Sequence, residues 1–160
     1  MRFILKLIRS LFGPKKEYTI EPLLHSNADR LFQEWSSGFG ISIPQPNRPL
    51  QLADISGNYA VKGRNPNATG DGYFGTLKLE PKGTLVKAYW EIGHTRQPQH
   101  GLGFLKDDLL ALDFYYTEEG TRYYGQVIYK VDGDRLIGFW RENHIGELAI
   151  EEAKLKNKLV

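Results

Sequence analysis

From residue 54 onward, turn signals recur so closely that no segment between them can hold a crossover helix. They fall at 65–72, 81–83, 97–99, 107–108, 118–120, 132–134 and 143–144, and are built from Gly, Pro, Asn, Asp and Glu. Seven turns separate eight runs, approximately 55–64, 73–80, 84–93, 100–106, 109–116, 122–131, 135–142 and 145–155. A parallel pair needs a long connection, so each run must pair antiparallel with the next. A sandwich needs a long Greek-key connection, and the sequence has none. The pattern predicts a mainly β chain whose domain at 54–156 is an eight-stranded antiparallel up-and-down β-barrel of calycin-like architecture.

Alternation within the runs separates two faces. One phase collects Tyr59, Val61, Leu77, Leu79, Val86, Ala88, Trp90, Val127, Tyr129, Leu136, Trp140, Leu148 and Ile150, and is expected inside. The other collects charged residues, among them Lys62, Arg64, Lys130, Arg141, Glu147 and Glu151, and is expected in water. Gly63, Gly75, Gly101, Gly103, Gly125, Gly138 and Gly146 share the apolar phase. Inward glycines on most strands suit a small, strongly coiled barrel. The fifth run is apolar in both phases (Leu109, Leu110, Ala111, Leu112), so its outer face is expected to receive an N-terminal helix.

Two helices are predicted ahead of the barrel. At 1–16, Phe3, Ile4, Leu7, Ile8 and Leu11 share one helical face, widened by Leu5 and Phe12, before Gly13-Pro14 stops the helix. That segment carries +5 of a net charge of +2 for the 160 residues, which leaves −3 for the rest. It is too short and too charged to span a bilayer, and no small-x-small cleavage site follows it. A basic amphipathic helix of this kind suits an anionic membrane surface, with Arg2, Phe3, Lys6, Leu7, Arg9, Leu11 and Phe12 as contacts. Docking on the protein's own apolar surface, or removal as a targeting peptide, would satisfy the same pattern. In 17–53, Ser26 or Asn27 can cap a second helix through Ala28, Leu31, Phe32 and Trp35, with Asp29 in its first turn. The prolines of 41–50 then form a strap to the barrel.

Composition removes several function classes. Without Cys there is no disulfide, thiol catalysis or thiolate metal site. The near-neutral sum argues against a nucleic-acid partner. Gly-x-Ser-x-Gly, Walker and His-Glu-x-x-His motifs are absent. Paired acids such as Asp107-Asp108 sit in predicted turns, as solvated charges. No catalytic residue, cofactor or metal ligand set is assigned.

The string Gly57-Asn-Tyr-Ala-Val-Lys-Gly63-Arg-Asn-Pro66, then Gly72-Tyr-Phe-Gly75, Trp90-Glu-Ile-Gly93, Gly101-Leu-Gly103, Val127-Ile-Tyr-Lys-Val131 before Asp132-Gly133, and Gly138-Phe-Trp140, resembles a bacterial family. Its members are small eight-stranded barrels with a Tyr-x-Val-x-Gly-x-Asn-Pro opening, often labelled fibronectin-binding. They are similar in architecture to the avidin–lipocalin group. The resemblance covers about 55–150, implies the barrel, and transfers neither a catalytic motif nor avidin's biotin-binding pattern.

Function is then expected from the barrel interior. Tyr59, Trp90, Tyr116, Tyr129 and Trp140 should line it, with Phe104 and Phe114 near its ends. Eight-stranded barrels are narrow, so side chains fill them or leave room for one small ligand. The expectation is a non-catalytic barrel binding a small apolar ligand or a protein partner, membrane-peripheral or otherwise cytoplasmic. The alternatives are a small enzyme with a polar or metal site at the rim, where His94 and His100 flank a predicted turn near Glu91, or a soluble interaction module.

Overall fold

The computed structural model describes residues 25–39, 49–66 and 72–159. Among the described residues, two helices and eight strands follow one another: α1 (His25–Ser37), α2 (Leu52–Ile55), β1 (Gly57–Gly63), β2 (Tyr73–Lys82), β3 (Leu85–Ile92), β4 (Gln97–Lys106), β5 (Leu109–Glu118), β6 (Thr121–Asp132), β7 (Arg135–Glu142) and β8 (Ala149–Lys158). Each strand pairs antiparallel with its sequence neighbour, and β1 pairs with β8 to close the barrel. Closure leaves no open sheet edge. Short hairpins make this order, as between β5 and β6, where Glu119 and Gly120 both adopt positive φ (50° and 76°). The segments 1–16 and 41–48, where a basic helix and most of the strap are expected, lie outside the described residues.

Two strands differ from the expectation by three residues or more. β4 begins at Gln97, because the turn occupies 93–96 with Gly93 and Arg96 at positive φ. Pro98 is tolerated inside the strand. β8 runs 149–158 instead of 145–155, and Gly146 belongs to the loop before it, at φ 76°.

The inner cluster contains Leu77, Leu79, Val86, Leu110, Leu112, Phe114, Val127 and Leu136 together with the five predicted interior rings. Large rings occupy the space over inward glycines. A Cβ on Gly101 would lie 2.7 Å from the Trp90 ring, and Cβ atoms on Gly125 and Gly138 would run into the rings of Phe114 and Tyr129. Phe114 and Tyr129 are the direct cross-strand partners of those two glycines. Ring and glycine thus share one layer of the barrel, which lets a narrow cylinder hold large side chains.

A second apolar cluster lies outside the barrel, under α1. Ala28, Phe32 and Trp35 bury one helical face against Phe104, Leu109, Ala111, Ile128 and Phe139, with Leu148 and Ile150 at the margin. Each large side chain so buried is worth about 1.5–3 kcal/mol, which holds a helix too short to stand alone. Lys106 pairs with Asp29 at 2.9 Å, and the Arg141 guanidinium lies 5.2 Å from the centre of the Trp35 ring. The helix begins at His25, so Ser26 and Asn27 fall inside it and Asp29 lies beyond its first turn.

Six residues also take up positions other than those expected, the first four of them because of this outer cluster. Phe104 sits outside the barrel, beneath α1, instead of inside. Leu148 and Ile150 also face outward, which turns Glu151 inward between Ala149 and Ala153. Lys130 is on the outer face but buried, paired with Asp108, and neither is a solvated charge.

The barrel's two ends differ. At one, residues 50–55 cross the mouth: the Leu50 amide donates to Asp107 in the β4–β5 turn at 3.1 Å, and Ile55 plugs into the core. The Tyr59 hydroxyl donates to the Ile55 carbonyl at 2.7 Å. The opposite end, where β7 stops and β8 starts, carries the inward polar groups.

Candidate ligand-binding site

The predicted interior residues Tyr59, Trp90, Tyr116, Tyr129 and Trp140 are all buried in the inner cluster. Two of them, Trp90 and Tyr129, join Tyr73, which the sequence reading did not single out, around a carboxylate that the alternation pattern placed outside. Glu151, 4% exposed, accepts from the Tyr73 hydroxyl at 2.6 Å, from Trp90 Nε1 at 3.2 Å and from the Tyr129 hydroxyl. Trp90 Nε1 also lies 3.3 Å from the Tyr129 oxygen. Three donors on one carboxylate offset the cost of burying it and fix three large side chains in place. Burial pushes the Tyr129 phenol well above its ordinary pKa, and the adjacent Glu151 carboxylate pushes it further. Tyr129 therefore stays neutral and donates. Burial alone raises Tyr59 to about 12.

A second buried carboxylate lies closer to the end where β7 stops. Glu142, 1% exposed, accepts from the Tyr116 hydroxyl at 2.8 Å, and its other oxygen is 3.4 Å from His144 Nε2. Tyr123 packs against both partners, its ring 5.4 Å from Tyr116 and 4.9 Å from His144. The sequence reading did not single out Glu142, although Leu136, Gly138 and Trp140 precede it at alternate positions and carry the inward phase. The phase of Glu151 was not legible, since Leu148 and Ile150 mimic an inward phase when α1 covers the outer face.

The rim residues weighed for metal or catalysis do not come together. Glu91 is engaged by Arg96, whose Nε lies 2.7 Å away. His100 stands on the outer face in an aromatic row, 5.3 Å from both Tyr89 and Tyr115. His94 is exposed in the turn. Among the described residues, no three His, Asp or Glu side chains are placed to hold a metal ion.

Among the described residues, the exposed large apolar side chains divide between two clefts on the outside. Phe39 and Phe74 stand at a cleft of about 690 Å³ on the rim of β1, β2 and β8, which also reaches Tyr73. Leu85 and Leu102 stand at a groove of about 540 Å³ across β3, β4 and β5. Tyr73 belongs both to the lining of the rim cleft and to the buried Glu151 network, where its hydroxyl is held inside the barrel. The predicted membrane contacts Arg2, Phe3, Lys6, Leu7, Arg9, Leu11 and Phe12 lie outside the described residues. No described helix is long and apolar enough to cross a membrane. No family model and no curated protein matches the chain.

Proposed function

We propose that the protein is a non-catalytic binding barrel of the calycin type, taking a small apolar ligand at the rim cleft beside Tyr73. The carrying observation is Phe74, which remains 74% exposed while facing a cleft of about 690 Å³. Pockets that take small molecules run from about 300 to 1,000 Å³, with apolar walls and a few fixed polar groups. Leu148 and Ile150 supply the wall, and Lys62 and Arg64 supply polar groups at its edge. In the same reading, residues 1–16 hold the protein at an anionic membrane surface, each Lys or Arg there contributing about 1 kcal/mol. The family resemblance agrees with a binding role, since its recurring residues shape a barrel and supply no catalytic group.

The neutral fluorophore N-phenyl-1-naphthylamine tests the cleft. Saturable one-to-one binding that Phe74→Ser weakens is expected, and absence of saturable binding would refute the reading. For the anchor, full-length protein should co-sediment with anionic vesicles, and Lys6→Glu/Arg9→Glu should stay in solution. Equal pelleting of the two would remove the anchor. A second reading, a protein-interaction module, is favoured by Leu85 and Leu102, exposed by 38% and 41% at the outer groove.

A further inference from the structure

Among the described residues, the rim cleft pairs an apolar wall with two cations, Lys62 and Arg64, against one carboxylate, Glu152. Lys62 and Arg64 project from the last turn-ward residues of β1 and the position just beyond it. On the outer face Lys62 stands between Phe74 on β2 and Glu152 on β8, its direct partners across the two ladders. Arg64 follows on the same face, with its backbone amide bonded to the Ile150 carbonyl at 3.1 Å. Among the described residues, Glu152 is the acidic residue at the cleft, 3.8 Å from Lys62. It is shared with Arg135, 3.6 Å away on β7, so its charge is already divided. The Lys62 side chain is 65% exposed, so it can turn toward a ligand without leaving a buried group unpaired. Phe39 packs at 5.1 Å against Phe139, which fixes one apolar wall, and Phe74 stands at the cleft from β2.

A ligand matching both halves carries an apolar body and an anionic group at one end. We propose that this cleft binds a monomeric, single-chain amphiphile with an anionic head, a carboxylate being the simplest. Its chain lies between Phe39, Phe74 and Ile150, and its head meets Lys62 and Arg64. The proposal rests on the binding-barrel reading and narrows its ligand. A recess of finite volume favours a free molecule over the flat face of a bilayer, where an exposed apolar patch would suffice. The guanidinium adds a planar fork of donors suited to a carboxylate.

Isothermal titration of the full chain with dodecanoate below its micelle concentration, beside dodecan-1-ol, tests this. Dodecanoate should bind one-to-one and at least about tenfold more tightly than the alcohol, as a charge-assisted contact provides. Lys62→Gln/Arg64→Gln should erase that preference and leave the alcohol's affinity unchanged, with an unaltered circular dichroism spectrum. Phe74→Ser should weaken both ligands. Equal binding of acid and alcohol would overturn the anionic-head proposal while leaving the binding-barrel reading intact. Dodecanoate binding that ignores both variants would place the site elsewhere and also overturn it. Binding to anionic vesicles with none to monomeric dodecanoate would overturn the commitment to a free amphiphile. No binding of either monomer would remove this proposal together with the reading beneath it.

Discussion

The Tyr73 hydroxyl reaches the Glu151 carboxylate, at 2.6 Å, by passing over Gly63. Gly63 lies between them on β1, opposite Tyr73 in one ladder and opposite Glu151 in the other. A Cβ at position 63 would collide with the tyrosine ring and hydroxyl. The closing seam of the barrel and the polar network inside it therefore depend on the same missing side chain.

Gly63→Ala should displace Tyr73 and break its bond to Glu151. Overpacking of this kind costs about 1–3 kcal/mol, and the lost charge-assisted bond adds about 1.5–3 kcal/mol. Tyr73→Phe keeps the ring and should show the second cost alone. Urea denaturation of both variants checks the order. Equal midpoints for Gly63→Ala and wild type would contradict this account of the seam.

Glu151→Leu removes the acceptor from three buried donors and should destabilise by about 3 kcal/mol or more, at about 1–3 kcal/mol for each group left unsatisfied. Glu151→Gln keeps a carbonyl oxygen in place and should lose less. Thermal unfolding of the pair distinguishes an acceptor role from simple space filling, which would leave the two variants alike.

Alkaline pH should weaken the fold in a defined window. Tyr59 is raised to about 12 and Tyr129 is raised well above 10. The unfolded chain loses those protons near pH 10 while the folded chain retains them. The stabilisation is complete below about pH 10 and is lost as pH rises through the folded values. Denaturation midpoints should fall above pH 10, and Tyr59→Phe should flatten part of the fall. A midpoint constant from pH 9 to 12 would contradict it.

The barrel was legible because its evidence is local: hairpin turns set the strand order, and ring–glycine alternation set the inner layer. Trp90, Tyr129 and Trp140 followed from that alternation. Glu151 did not, because the phase of β8 depends on whether its outer face meets water or α1. Leu148 and Ile150 are apolar for the helix, not for the core. Phe104 was misplaced for the same reason. Asp108 and Lys130 read as surface charges because neither turn signals nor strand period reveal a neighbour brought in from another strand. The rim cleft joins residues near positions 39, 64, 74 and 150, and that proximity exists only after the barrel closes.

The Lys130–Asp108 ion pair, both partners below 10% exposed, provides a test of burial on the outer face. Lys130→Met should cost about 3–5 kcal/mol by leaving Asp108 buried without its cation. Replacing both, as Lys130→Met/Asp108→Leu, should recover most of that loss. A double-mutant cycle from chemical denaturation gives the coupling, and a value near zero would mean that water reaches the pair.

The central claim, a ligand held at the rim cleft, is tested most directly by methyl NMR of Leu- and Ile-labelled protein titrated with N-phenyl-1-naphthylamine. Saturable shifts at Leu148 and Ile150, with Leu85 and Leu102 unmoved, are the expected result. Shifts confined to Leu85 and Leu102, or none that saturate, would contradict it.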